Sequence, residues 1–261
     1  MAKKKFGTKE WATKTLNLYH GCRNNCLYCY SRYNWCVRYK RMKVEKWGEM
    51  KFNKKAFDRK PYKLKEGRIM FPSQHDIFPE TVDKTIEYLR GWLEVGNEIL
   101  ITTKPRLECV GKIMDAFEDF KDQIVWRFTI TSTNEQSVRF WEPDAPLFPE
   151  RVASLDYAFN RGWKTSVSCE PYLDMTIKPL VHILLPSVTD SIWIGKMNFV
   201  EQRVDTTGWK KDDFKFLDQV DMSQTDDYIK NELYNEFKDN PKIRWKDSIK
   251  KVLNLPEEEI G

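Results

Sequence analysis

A chain of 261 residues, 41% hydrophobic, 14% aromatic and 32% charged, has enough apolar surface for one large domain or two small ones, which excludes a fibre or a disordered tail. No apolar run is long enough to span a membrane, and the basic start "MAKKKFGTKEW" lacks the apolar core of an export signal, so the chain is expected in the cytosol with no membrane partner. The formal charge of +5 is unevenly spread: between Arg38 and Arg68, thirteen Lys or Arg face Glu45, Glu49, Asp58 and Glu66, which leaves +9 here and −4 in the remainder.

In chain order, "TKTLNLYHG" (13–21) reads as a strand ending at a glycine, and a loop rich in cysteine follows it directly. A helix is expected over 30–47, then the basic connection 38–68 leads into the apolar run "GRIMFPS" (67–73), a second strand. The spacing over 79–96 predicts a helix with a glycine stop, followed by a strand at 97–104, a helix at 106–120 and a strand at 123–131. A helix at 148–162, a fifth strand at 163–172 and a sixth at 190–198 complete the alternation, with an apolar, proline-interrupted stretch at 176–187. The tail from about 223 offers two more helices, "TDDYIKNELYNEFKD" and "RWKDSIKKVLNL". Six strands alternating with helices predict parallel pairing, either as an incomplete barrel or as an open sheet wound on both faces. Polar groups gather where strands end: Cys22, then Ser73, His75 and Asp76, then Lys104, then Thr131 to Asn134, then Glu170. In parallel barrels that rim is where sites assemble.

Six cysteines in a long chain without an export signal are expected as free thiols or metal ligands. Cys109 and Cys169 lie in element interiors, where a free thiol behaves as a small hydrophobe, and Cys36 is expected to pack on its helix. Cys22, Cys26 and Cys29 instead crowd into one loop, "GCRNNCLYCYSRYNW" (21–35). Structural zinc takes four protein ligands, so a zinc reading needs His20 or Cys36 as the fourth and makes the chain a zinc-stabilised nucleic-acid-binding module. Iron–sulfur clusters are also usually held by four cysteines, and three leave one iron open to a small molecule, a catalytic arrangement.

The spacing Cys22-x3-Cys26-Leu27-Tyr28-Cys29 resembles the radical S-adenosylmethionine superfamily. With "FPSQHDIFPE", "ILITTK", "FTIT" and "FWEPDAPLFPERVASLDYAFNRGW", the chain over roughly 15–175 is similar to its spore photoproduct lyase-like branch. The resemblance implies an α/β fold and an incomplete (β/α)6 TIM-type barrel, placed over 1–200 with cluster loop 21–30, while the helical patterns of the tail make 201–261 a C-terminal helical extension packed on it. It implies a 4Fe-4S cluster on Cys22, Cys26 and Cys29, and S-adenosyl-L-methionine at the open iron. Tyr28 would lie near the adenine, Ser73 and Lys104 at the methionine end, and Thr129, Thr131 and Ser132 at the ribose. Glu142 and Arg151 fit the pattern as cofactor contacts or as a rim salt bridge. The implied activity is oxygen-sensitive radical chemistry of lyase or transferase type: a 5′-deoxyadenosyl radical abstracts hydrogen from a substrate such as a nucleic acid, a peptide or a metabolite.

In the branch's DNA-repairing lyase a cysteine beside the second-strand motif returns hydrogen to the product; "MFPSQHD" has none. His75 and Asp76 share that turn as candidate catalytic acid, base or substrate anchor, against a turn-capping Asp and a solvated His. Segment 38–68 mixes Lys and Arg with Tyr39, Trp47, Phe52, Phe57 and Tyr62, which suits a nucleic acid, an acidic flavodoxin or ferredoxin electron donor, or simply a solvated face.

Overall fold

The computed structural model describes residues 7–256. Its strands in chain order are β1 (Lys14–Thr15), β2 (Tyr19–His20), β3 (Lys51–Phe52), β4 (Ile69–Phe71), β5 (Ile99–Thr103), β6 (Ile124–Thr129), β7 (Lys164–Cys169), β8 (Ile192–Ile194) and β9 (Ile243–Trp245). Seven form one sheet in the order β1-β4-β5-β6-β7-β8-β9, every pairing parallel, while β2 and β3 pair antiparallel by themselves. Helices connect successive strands, so the incomplete TIM-type barrel is borne out, with one strand more than the sequence reading counted. No helix among the described residues is long and apolar enough to cross a membrane.

Strand alternation sorts the side chains into two faces. Ile69, Phe71, Ile99, Ile101, Ile124, Trp126, Phe128, Ile192 and Ile194 join the main core with Leu89, Trp92, Ile113, Leu155 and Leu180 from the helices Val82–Glu94, Leu107–Ala116, Phe148–Asn160 and Ile177–Leu184. The residues between them face the barrel interior: Met70 and Leu100, register partners, pack with Val125 and Trp193 around Trp11. Trp11 lies in a segment before β1 that crosses to the far end of the sheet. Lys246, just after β9, donates to the Gly7 carbonyl (3.1 Å), pairs with Glu10, and sits over the Trp11 ring (4.3 Å). The Arg127 guanidinium lies between the Trp11 and Trp193 rings at 4.7 and 5.3 Å. Trp11→Ala would empty this plug and leave Arg127 with one ring; a loss of about 3–5 kcal/mol is expected, read as a lower urea midpoint.

The structure corrects three expectations. The strand at 13–21 is two strands separated by Leu16–Leu18, and only β1 belongs to the barrel, so the cysteine loop hangs from the β2–β3 hairpin. The helix at 30–47 ends early: Tyr30–Arg32 is α-helical, Tyr33–Arg38 widens into π-type turns, and Lys40 at φ 49° breaks the helix before the short 3-10 turn Val44–Glu49. The tail 201–261 is more than a helical extension, because β9 completes the sheet before the helix Asp247–Leu253; Ile229, Leu233, Phe237 and Ile249 enter the main core. In β9, Ile243 and Trp245 are buried and Arg244 is exposed, an alternation too short to separate from helical spacing in sequence.

Candidate functional site

The loop bearing Cys22, Cys26 and Cys29 is fixed at both ends and in the middle. Gly21 has φ 101°, and a Cβ there would run into the Trp47 carbonyl, the same oxygen that accepts from Cys22 N at 2.9 Å. Cys29 caps the following helix, its sulfur accepting from Arg32 N at 3.4 Å. Between them Asn24, 1% exposed, donates through Nδ2 to Asp76 (2.7 Å) and accepts through Oδ1 from Arg106 (2.8 Å). Asn24 escaped the sequence reading, since nothing marks it beside its neighbour Asn25. These bonds tether the loop to the C-terminal ends of β4 and β5.

Glu142 is fully buried and gathers the predicted rim residues. It accepts from the Tyr28 hydroxyl, from Thr131 Oγ1 (3.1 Å) and from Arg151, and Lys104 Nζ stands 3.9 Å away. Burial alone would raise the Glu142 pKa, but Arg151, Lys104 and the Tyr28 hydroxyl outweigh it and the carboxyl is held low. Burial likewise opposes charge on Lys104, yet Cys26 and Glu142 outweigh it and its pKa rises. Tyr28 is pushed well above its ordinary value by burial and then by the Glu142 carboxylate. A buried carboxylate ringed by two cations and two hydroxyls is thus an ionised hub. The sequence offered Glu142 and Arg151 only as a family pattern.

The remaining predicted residues are held individually. Ser73 Oγ accepts from Asn17 Nδ2 (2.9 Å), while Asn17 Oδ1 accepts from the backbone of Ser73 and Gln74. Ser132 donates to Asp174 (2.7 Å), and Thr129 lies on the interior side of β6, two residues after Arg127.

Asp76 accepts from Asn24 Nδ2, Ile77 N (2.8 Å), Thr103 Oγ1 and Lys104 N (3.0 Å), so it binds the cysteine loop to the β5 end that carries Lys104. His75 is buried, accepting from Leu18 N at Nε2 (3.0 Å) and donating from Nδ1 to the Asp76 carbonyl (2.9 Å). Both ring nitrogens are engaged, as a neutral imidazole requires. Burial lowers its pKa from 6.5 to about 4. The unfolded chain therefore binds the extra proton first: this contribution to stability is complete above the unfolded value and is lost as pH falls through the folded one. The loss is about 3 kcal/mol, and denaturation midpoints between pH 7 and pH 4 should show it in the native chain and not in His75→Gln.

The donor set fits an iron–sulfur group by its chemistry: soft thiols on one loop, a backbone N–H on Cys29 and the partly buried Lys104 cation near Cys26. Burial pushes Cys26 up to about 12 and Cys22 well above its ordinary range, Asp76 and the neighbouring thiols adding to the latter, so metal uptake would displace protons. Among the described residues no three His, Cys, Asp or Glu side chains are gathered at metal-ligating distances. Of the fourth ligands considered for zinc, His20 lies against Trp35 (4.2 Å) with a buried Nδ1 that has no hydrogen-bond partner among the described residues, and the Cys36 sulfur contacts the Lys43 carbonyl (3.9 Å).

No family model matches the chain. Among curated proteins, the uncharacterized protein ORF301 of Acidianus two-tailed virus is 30% identical over 173 residues, 62% of this chain and 55% of that one. The chain thus spans about half the length of the curated relative it matches. Among solved structures, a Cys-to-Ser mutant of spore photoproduct lyase is similar at TM-score 0.53 and 16% identity, covering 94% of this chain and 79% of that one. A Cys-to-Ala mutant of the same enzyme gives 0.52 at 16% identity, covering 93% and 78%. At this identity the likeness is one of fold: the incomplete barrel is shared.

Proposed function

We propose that the protein is a radical S-adenosylmethionine enzyme in which Cys22, Cys26 and Cys29 hold three irons of a 4Fe-4S cluster and leave the fourth for S-adenosylmethionine. When bound, cluster and S-adenosylmethionine supply a reductively generated 5′-deoxyadenosyl radical that takes hydrogen from a substrate. The observation that carries this reading is the tether from the three-cysteine loop through Asn24 and Asp76 to Lys104, a partly buried cation at the barrel rim near the thiols.

In this reading Lys104 is the counter-charge for the methionine carboxylate, with Glu142 keeping it protonated until that carboxylate arrives. Ser73, Tyr28, Thr129, Thr131 and Ser132 orient the remainder of the cofactor. His75 and Asp76 are positioning residues, since their polar atoms already hold the loop and strand ends. The substrate is a molecule with an abstractable hydrogen that fits the barrel mouth, and the unpaired cysteines support a cytosolic location. Anaerobic purification tests the metal: brown protein with bound iron and sulfide is expected, whereas colourless protein with one zinc would return the chain to the zinc-stabilised module.

A further inference from the structure

We infer that the barrel interior binds one small inorganic anion of the chloride type through Arg127 and the hydroxyl of Thr102, at a site separate from the radical chemistry. Arg127 on β6 is fully buried, and its register partners on the neighbouring strands are Thr102 of β5 and Ser166 of β7. Thr129, assigned to the cofactor, follows two residues later, so this row lies one layer beneath the candidate site. Among the described residues, Nη1 and Nη2 of Arg127 have no hydrogen-bond partner, and neither has the buried Oγ1 of Thr102. A guanidinium taken out of water with both terminal nitrogens unmatched is costly, and a fold that keeps one has a use for its charge.

The surroundings leave that charge under-compensated. Nε of Arg127 donates to Ser166 Oγ (3.0 Å), and that hydroxyl passes its own hydrogen to the Ser191 carbonyl (2.7 Å). Asp190 offers an exposed carboxylate 3.7 Å from Nη2, too far for a hydrogen bond, and it already accepts from the Ser191 hydroxyl. Arg68, whose Nε donates to the Trp11 carbonyl (2.8 Å), adds positive charge nearby. Burial lowers the Arg127 pKa to about 9, Arg68 contributing to the fall while Asp190 and Glu170 offset only part of it.

The unmatched groups are donors: the N–H bonds of Nη1 and Nη2, the Thr102 hydroxyl, and the buried indole N–H of Trp11, whose ring lies 4.7 Å from the guanidinium. A water among them would need acceptors for its own hydrogens, and the oxygens of Ser166, Ser191 and Asp190 are already engaged. An anion takes donors only, and it neutralises the cation as well. Trp11 and Trp193 cover the guanidinium, and both Nη atoms are closed to solvent, so the ion is compact. A divalent oxyanion would be larger and would cost more to desolvate, which leaves a halide.

The test compares the full chain in sodium chloride and in sodium gluconate, whose anion is too large for the site, at equal ionic strength. Urea unfolding should show stability that rises with chloride and not with gluconate. Above the dissociation constant the folding constant should gain about tenfold for each tenfold increase in chloride, as one bound ion requires. Arg127→Met should flatten this dependence, and Thr102→Val, which keeps the cation, should weaken it. A crystal grown in sodium bromide should show an anomalous peak between Arg127 and Thr102. Equal stability in the two salts, or a chloride dependence that survives Arg127→Met, would overturn the inference. So would a crystal grown in bromide with only a water beside Arg127. If Arg127→Met does not fold, the Thr102→Val dependence and the bromide position decide.

Discussion

Cys26→Ala is expected to yield a folded protein that binds neither a full complement of iron nor cleaves S-adenosylmethionine. The thiol is buried, and Leu27 N still donates to the Trp141 carbonyl (2.9 Å), so the loop backbone keeps its anchor when the sulfur is lost. Removing a small buried side-chain atom costs about 1 kcal/mol in packing, too little to unfold the chain. In the proposed reading the variant lacks one of the three cysteines that hold the cluster, so the site is lost. Iron and sulfide analysis of the anaerobically reconstituted variant, beside its circular dichroism, checks both halves. Native iron content in the variant would show that the loop is not the site.

Glu142→Ala should be as damaging to stability as Trp11→Ala. It strands Arg151, which is 1% exposed, and Lys104 without their shared carboxylate, and it leaves the Tyr28 and Thr131 hydroxyls without an acceptor. Removing one partner from a buried ion pair costs about 3–5 kcal/mol, and a urea titration of the metal-free chain should reveal a loss of that size. Glu142→Gln keeps an acceptor oxygen and should cost less. A Glu142→Ala midpoint equal to the native one would mean the charges are hydrated and the network is not a buried hub. The sign with pH follows from the lowered carboxyl: its contribution is present at neutral pH and fades only as pH falls below the ordinary glutamate range.

Most of the barrel could be read because its strands are short apolar runs bounded by turn residues and separated by helices of period 3.6. The helices Val82–Glu94 and Phe148–Asn160 fall within their expected limits. What escaped was decided by tertiary contacts. β9 is three residues long, and its parallel pairing with β8 makes it a strand. The helix expected over 30–47 has suitable residues, but the chain must leave it at Lys40 and return through Trp47, whose carbonyl anchors Cys22.

In the candidate site the three cysteines were legible because their spacing is local. Asn24 and Asp76, 52 residues apart, were not legible as a pair, since only the fold brings the Asn24 amide to the Asp76 carboxylate. His75 drew attention as a titratable group near a strand end, and the structure gives both its nitrogens backbone partners. Polar residues at a rim can face a ligand or fasten the rim itself, and the sequence alone does not separate the two.

The most direct measurement is the formation of 5′-deoxyadenosine, followed by mass spectrometry, when the anaerobically reconstituted protein is mixed with S-adenosylmethionine and dithionite. The radical reading predicts product from the native chain and background levels from Cys26→Ala. An iron-loaded native chain that leaves S-adenosylmethionine intact would contradict it.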